Sequence, residues 1–316
     1  MAENLKTNAV DWLVQSEQPC IKYRVLTDLL GYSQNDAEVK EAYESISKVG
    51  WGRDILLEQR PDGHWLAEEK SLYYPKYTAT NWRAIMLADI GLTKKHESIN
   101  RVAEIYFKEW LSDMDAAYRE GELCITGNLA KTLTKFGYQD DPRVKRLFQW
   151  LVEHQKDDGG WHCFESDSGT LDCWEGLAAF NALPKPMWTK SIKRSAEKGA
   201  EFYLERKLFE EGEKYEPWFR FHYPNHYYYD LLVGLDVVTA LGFAGDRRLK
   251  PALEIMQAKK LSNGRWVLDA AHPDLDSGSS YTLRGKVTLI TLEKVGEPSQ
   301  WITLTCLCVA KRVEEA

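Results

Sequence analysis

Three cysteines set the first chemical question. Cys124, Cys163 and Cys173 each fall just before, or at, the start of an apolar segment that reads as a helix. If those starts share one end of the fold, three thiolates and an imidazole there would suit tetrahedral zinc, and a site short of one ligand would hold a catalytic water. Helix N-termini would lower the thiol pKa and assist. The plain alternative is that the cysteines pack as small buried hydrophobes.

Carboxylates inside apolar segments are the second group. Asp230 and Asp236 sit in Tyr227–Leu241, and Glu175 sits in Asp172–Leu183. A carboxylate is seldom buried without a partner. These three therefore face cavity water or form ion pairs with residues such as Arg83 and Arg220. A cavity carboxylate with a raised pKa would act as a general acid, and Asp230 is the candidate for that role. Aromatics crowd the same helix starts. Tyr77, Trp82, Trp174 and Tyr228, with Arg220, are the candidate substrate contacts, able to hold an apolar chain or to steady a cation with their ring faces. Aromatics at helix ends also serve as packing. His162 and His222 would extend such a site, and Asn128 either caps its helix or faces the cavity.

The elements that must position these residues repeat along the chain. Gln59-Arg-Pro-Asp-Gly-His-Trp65 recurs as Gln155-Lys-Asp-Asp-Gly-Gly-Trp161, and more loosely as Gln257-Ala-Lys-Lys-Leu-Ser-Asn-Gly-Arg-Trp266. Trp65 and Trp161 are 96 residues apart, and Trp161 and Trp266 are 105 apart. Degenerate copies are therefore expected midway, near Trp110 and near Tyr203 to Trp218. Before each turn runs an amphipathic helix such as Val144–Gln155, with Val144, Leu147, Trp150 and Leu151 on one face. The Asp-Gly or Asn-Gly ends it, because glycine takes the left-handed backbone a helix uses to stop. The Gln amide is expected to bond backbone groups of the turn while the Trp ring packs over it. After each turn comes a more apolar helix: Thr78–Gly91, Thr126–Gly137, Asp172–Leu183 and Tyr227–Leu241, with two more near Ile21–Leu30 and Trp301–Arg312. Helix pairs repeating at this length bury their faces by stacking, as an open solenoid or a closed ring.

The Gln-x-x-Asp-Gly-x-Trp copies resemble the QW motif of the terpenoid cyclases and the corresponding repeat of protein prenyltransferase β subunits. The resemblance spans roughly residues 54–268. It implies an all-α chain folded as an α/α toroid of about five to six helical hairpins, whose inner helices surround a cavity for an isoprenoid or other apolar ligand. It also implies a metal set: prenyltransferases hold zinc with an Asp, a Cys and a His near inner-helix starts. Asp172, Cys173 and His226 occupy that neighbourhood, with Asp172 then joining Asp230 as a catalytic candidate. Here Asp172 and Cys173 are adjacent where the family separates them by one residue. The Asp-x-Asp-Asp acid of squalene cyclases is absent; Asp113-Met-Asp-Ala and Asp274-Leu-Asp-Ser are the nearest stretches, and Asp140-Asp-Pro-Arg-Val falls short of Asp-Asp-x-x-Asp. A non-catalytic lipid- or protein-binding toroid and a carbohydrate-active (α/α) barrel stand as alternatives.

Composition bounds the rest. The 316 residues are 44% hydrophobic and 28% charged, so the chain can bury a large core, and no linker divides it; residues 1–316 read as one domain. A net charge of −7, with acidic and basic residues intermixed, excludes the clustered cations that nucleic acid needs. No window has the length of a membrane span and no apolar leader opens the chain, so a cytoplasmic location and reduced thiols are expected. A prenyltransferase β subunit would need a second subunit, and nothing in the sequence identifies such a partner.

Overall fold

A helix that buries one stripe and a helix that buries every face need different sequences, and the two kinds alternate along this chain. The computed structural model describes residues 8–67, 71–112, 122–271 and 291–316. The stretches Asp113-Met-Asp-Ala and Asp274-Leu-Asp-Ser lie outside them.

Among the described residues the chain is helical, with isolated β-bridges and no strand, so the all-α expectation holds. The elements are α1 (Asn8–Val14), α2 (Pro19–Arg24, continued by a π-helical turn to Leu29), α3 (Ala37–Ser45), α4 (Gly50–Leu57), α5 (Thr80–Asp89), α6 (Glu97–Ile105), α7 (Leu123–Phe136), α8 (Pro142–Glu153), α9 (Glu175–Ala182), α10 (Lys190–Glu205), α11 (Leu231–Val238), α12 (Lys250–Ala258) and α13 (Gln300–Glu314).

One-sided burial marks α8, where Val144, Leu147, Phe148, Trp150 and Leu151 are buried and the opposite face is wet. Asp141 caps it by accepting the Arg143 N–H at 2.9 Å, and Pro142 stands at its first turn, where no N–H is needed. By contrast α5 is buried at every position from Thr80 to Ala88, and α13 from Trp301 to Val309. The all-round buried helices touch one another in succession, α5 to α7 to α9 to α11 to α13, and α13 meets α2 and α1. One hydrophobic cluster runs from Ala9 to Val309.

The three turns follow a common plan. Trp65, Trp161 and Trp266 donate their indole N–H to the carbonyl ten residues earlier, Ile55, Leu151 and Met256, at 2.7, 2.8 and 2.8 Å. Asp62, Asp158 and Asn263 accept the backbone N–H two residues on, and the glycines between stand at φ of +91°, +91° and +81°. Gln59 Nε2 donates to the carbonyls of Gly63 and Ser98, both at 3.0 Å, and Gln155 Nε2 to Gly159 and Ser195, at 2.7 and 2.8 Å. The amide thus bonds its own turn and the next helix of the one-sided kind. In the third turn the expectation fails in register. The Leu261 N–H donates to the Arg265 carbonyl as Arg60 does to His64, so Lys260, not Gln257, holds the glutamine's place.

Helix starts move by a few residues from the sequence reading. The helix expected from Asp172 begins at Glu175, because Asp172 and Cys173 lie in the preceding turn. That expected from Tyr227 begins at Leu231, where Asp230 supplies the cap. Among the described residues no helix is long and apolar enough to cross a membrane.

Candidate functional site

Among the described residues, one hollow opens at the loops that lead into the all-round buried helices and another between those helices themselves. The larger, about 720 Å³, is walled by Tyr73 and Lys76 from the loop before α5, Cys124 at the start of α7, the 162–164 and 170–173 loops, Trp218, and Tyr227–Tyr229 before α11. Aromatic rings alternate in its lining with Lys76, Glu122, Asp172 and three thiols, and Phe164 at its edge is 72% exposed. Trp218 donates its indole N–H to Asp172 Oδ1 at 2.8 Å, and Tyr229 OH donates to the Leu208 carbonyl at 2.7 Å, so the wall is held by bonds as well as packing.

Glu175 closes the floor of this hollow. It is wholly buried, and neither carboxyl oxygen has a hydrogen-bond partner. The first turn of α9 packs closely on α7 there: a side chain at Gly127 would collide with the Glu175 backbone. Burial pushes the Glu175 carboxyl well above its ordinary 4.5, and negative charge at Cys163 adds to this. Burial thus favours the protonated acid in a hollow whose walls include several aromatic rings.

The three thiols converge beside it. The Cys124 backbone N–H donates to Cys163 Sγ at 3.4 Å, and Cys173 Sγ lies 3.7 Å from Cys163 Sγ. Hydrogen bonds from Cys124 and Cys173 hold the Cys163 thiol well below its usual value, whereas Cys124 and Cys173, as donors beside it, are raised. The zinc expectation is corrected by this geometry. Among the described residues no group of three or more His, Cys, Asp and Glu side chains is arranged to hold a metal ion. The thiols are committed to one another and to a backbone amide. Asp172 turns its carboxylate to Trp218, and His226 packs its ring against Tyr77 and Trp82, at 5.2 and 5.3 Å between centroids.

His226 belongs to an aromatic cluster with Tyr77, Trp82 and Tyr227. Burial depresses its imidazole to about 3, so it is neutral. Tyr77 and His226 both adopt left-handed backbone, φ +67° and +51°, a conformation costly for side chains of their size. Asn128, expected as a cap or a cavity group, lies inside α7 and donates to the carbonyls of Cys124 and His226, at 3.0 and 3.1 Å. Tyr77 and Trp82 brace the wall from behind; Tyr73, Tyr227 and Tyr228 present it.

The smaller hollow, about 280 Å³, takes side chains from α2, α5, α7, α9, α11 and α13. It is charged, and its charges are matched. Arg24 pairs with Asp28 at 3.0 Å, Lys135 and Lys131 with Asp89 at 2.8 and 3.8 Å, and Arg312 with Asp236 at 2.7 Å. Asp230 lies here too. Its Oδ1 accepts the Val233 N–H at 2.8 Å as the cap of α11, and its Oδ2 accepts the His222 backbone N–H at 3.0 Å and Nδ1–H at 2.6 Å. Asp230 is thus saturated, which removes the free carboxyl its proposed acid role required. Trp174 lines this hollow, with Lys131 Nζ 5.1 Å above its ring.

Arg220 lines neither hollow; it pairs with Glu216 at 2.9 Å on the surface. Arg83 pairs with Glu58 at 2.7 Å, so neither arginine serves the buried carboxylates. Apart from Arg24 and Asp28, which stand four residues apart on one helix, the ion pairs of the smaller hollow join residues 42 to 76 positions apart, which leaves no local pattern to find for them. A lysine in the apolar run of α7 was the one available hint. No protein-family model matches this chain, and a search of curated proteins finds no significant relative.

Proposed function

We propose that this chain is a squalene-cyclase- or prenyltransferase-like α/α toroid whose aromatic hollow takes an isoprenoid or other apolar molecule, and that Glu175 is its proton donor. Support for a ring comes from the smaller hollow, to which all six of α2, α5, α7, α9, α11 and α13 contribute. The reading of function rests on one observation: an unpartnered, wholly buried carboxyl in the floor of an aromatic cavity. Unsatisfied buried groups are costly, about 1–3 kcal/mol each, and persist where they serve a task.

The chemistry follows from the state of the acid. A raised pKa favours the protonated form of Glu175 but also makes it a weaker acid. An oxygen on the ligand, as in an epoxide or a hydroxyl, suits such a donor better than a bare alkene. Cation developing on the ligand would meet the faces of Tyr73, Tyr227 and Tyr228. Conversion of a polyene epoxide, followed by mass spectrometry, tests the reading: wild type forms product and Glu175→Gln does not. Traces identical with and without protein would refute catalysis.

One observation favours a second reading, a non-catalytic binder. Glu175 has no measurable exposure, so solvent has no direct route to return its proton. Organic extraction of purified protein separates the two, since a binder releases an apolar compound unchanged. A carbohydrate-active site fits poorly, because the carboxylates of the charged hollow are neutralised by cations or saturated by hydrogen bonds.

A further inference from the structure

Proton donation by Glu175 makes no use of the thiols beside it. Cys163 sits on the loop after Trp161, half-buried, and lines the larger hollow. An N–H donor points at its sulfur from Cys124, and a second thiol, Cys173, lies 3.7 Å away. Cys20, Cys306 and Cys308 are buried in helices, where no such access exists. A disulfide requires sulfurs about 2.05 Å apart, so the pair is less than one atomic diameter from bonding distance. Both residues lie outside helices, on the two limbs of a loop that the Thr170 N–H ties back to the Trp161 carbonyl at 2.9 Å. The tie holds the two limbs opposed.

We propose that Cys163 and Cys173 are a redox-active dithiol that reduces a hydroperoxide, with Cys163 the attacking sulfur and Cys173 the resolving one. The Cys163 thiolate attacks the outer oxygen of ROOH; the O–O bond breaks, and RO⁻ leaves and is protonated to ROH. Cys163 is then a sulfenic acid. Cys173 gives up its proton and attacks that sulfur, an S–S bond forms, and hydroxide leaves with the proton as water. Two thiols and one ROOH become one disulfide, one ROH and one water, the two electrons coming from the thiols. Nothing in this step depends on the ligand of the aromatic hollow or on Glu175 as a donor.

The test uses the reduced full chain and one equivalent of hydrogen peroxide. Two of the six thiols should disappear, faster than in an equal concentration of free cysteine, and peptide mapping should find a single Cys163–Cys173 disulfide. In Cys173→Ser the reaction should stop at a sulfenic acid on Cys163, trapped by dimedone, whereas Cys124→Ser should still lose two thiols. Wild-type oxidation no faster than free cysteine, losses spread over several cysteines, or a disulfide joining Cys163 to Cys124 would each overturn the proposal. The wild-type mapping decides the question even if a variant fails to fold.

Discussion

Trp174 and Glu175 are neighbours in sequence and face different hollows, and those two spaces treat charge in opposite ways. Around Trp174 the carboxylates have partners: Asp89 has two lysines, Asp236 an arginine, and Asp230 a cap and an imidazole. Around Glu175 the carboxyl oxygens have no hydrogen-bond partner, and burial favours the protonated form instead. Buried ionisable groups have these two outcomes, pairing or neutralisation. Pairing fixes structure, while neutralisation leaves a proton in place. The contrast teaches which carboxyl to suspect: not the one in the most apolar helix, but the one without company.

The largest effect expected from this contrast is catalytic. Glu175→Gln keeps the shape and removes the proton, and should lower turnover about 100- to 10,000-fold, the usual worth of general acid catalysis. Its urea midpoint should hold or rise. An unchanged rate would erase the distinction between the hollows. Asp89→Ala should do the reverse. It leaves Lys131, with only 6% of its side chain exposed, facing one cation and no anion, at a cost of about 3–5 kcal/mol in unfolding free energy. A midpoint within error of wild type would mean that the charged hollow is solvated like a surface.

Acid and base titration should separate the hollows with opposite signs. The folded-state pKa of Glu175 is raised, so the folded chain holds a proton that the unfolded chain gives up above about 4.5. Stability from this group is complete below that pH and falls as pH rises toward the folded value. For Asp89 burial acts to raise the pKa, but Lys131 and Lys135 outweigh it and the result is lowered. Its contribution is complete above its ordinary 3.8 and is lost on acidification. His226, depressed to about 3 by burial, likewise withdraws stability as pH falls from 6.5. The difference in unfolding free energy between wild type and Glu175→Gln, measured from pH 4 to 9, isolates this group from Cys163 and His226, whose depressed values act in the opposite sense. It should move against wild type as pH rises, by at most about 1.4 kcal/mol per pH unit for one proton, and the same difference taken in an Asp89→Asn background should keep that slope.

The sequence carried the frame of this molecule better than its chemistry, and particular residues show why. Periodicity in Val144–Leu151 and the Gly-Trp turns are local signals, governed by contacts within about ten residues; the amphipathic helix and the Gln-to-turn bonds of the first two copies appear as expected, while the indole N–H bonds were not foreseen. Lys260 escaped because the lost glutamine left only the backbone pattern to mark its place. Site chemistry depends on pairing across the fold. Asp230 read as an unexplained carboxylate, yet its partner His222 was only eight residues away, across a loop that bends back in no periodic way. The three cysteines do lie together, although Cys163 and Cys173 stand in the loop before α9 and only Cys124 at a helix start. Spacing could not tell a metal cage from thiols bonded to one another. Glu175 stood among three suspect carboxylates, and only its lack of a partner, invisible in one dimension, set it apart.

Lys131 links the two hollows and gives the finest test of their difference. Its ammonium lies 3.8 Å from Asp89 Oδ1 in the charged hollow and over the Trp174 ring, and its charge also reaches Glu175 through the α7–α9 contact. Lys131→Met keeps the length and packing of the stem while removing that charge. Asp89 retains Lys135 at 2.8 Å, so unfolding free energy should change by no more than about 1 kcal/mol, as when buried pairs give way to hydrophobes of similar volume. Glu175 has no such substitute. Lys131 is the cation that lowers its pKa, and without it the carboxyl should stay protonated to a higher pH. The C=O stretch of a neutral carboxylic acid, isolated by infrared difference against Glu175→Gln, reads that shift directly. A stretch that titrates at the same pH in wild type and Lys131→Met would mean that the hollows are electrically separate, and that burial and the Cys163 charge, without Lys131, set where Glu175 gives up its proton.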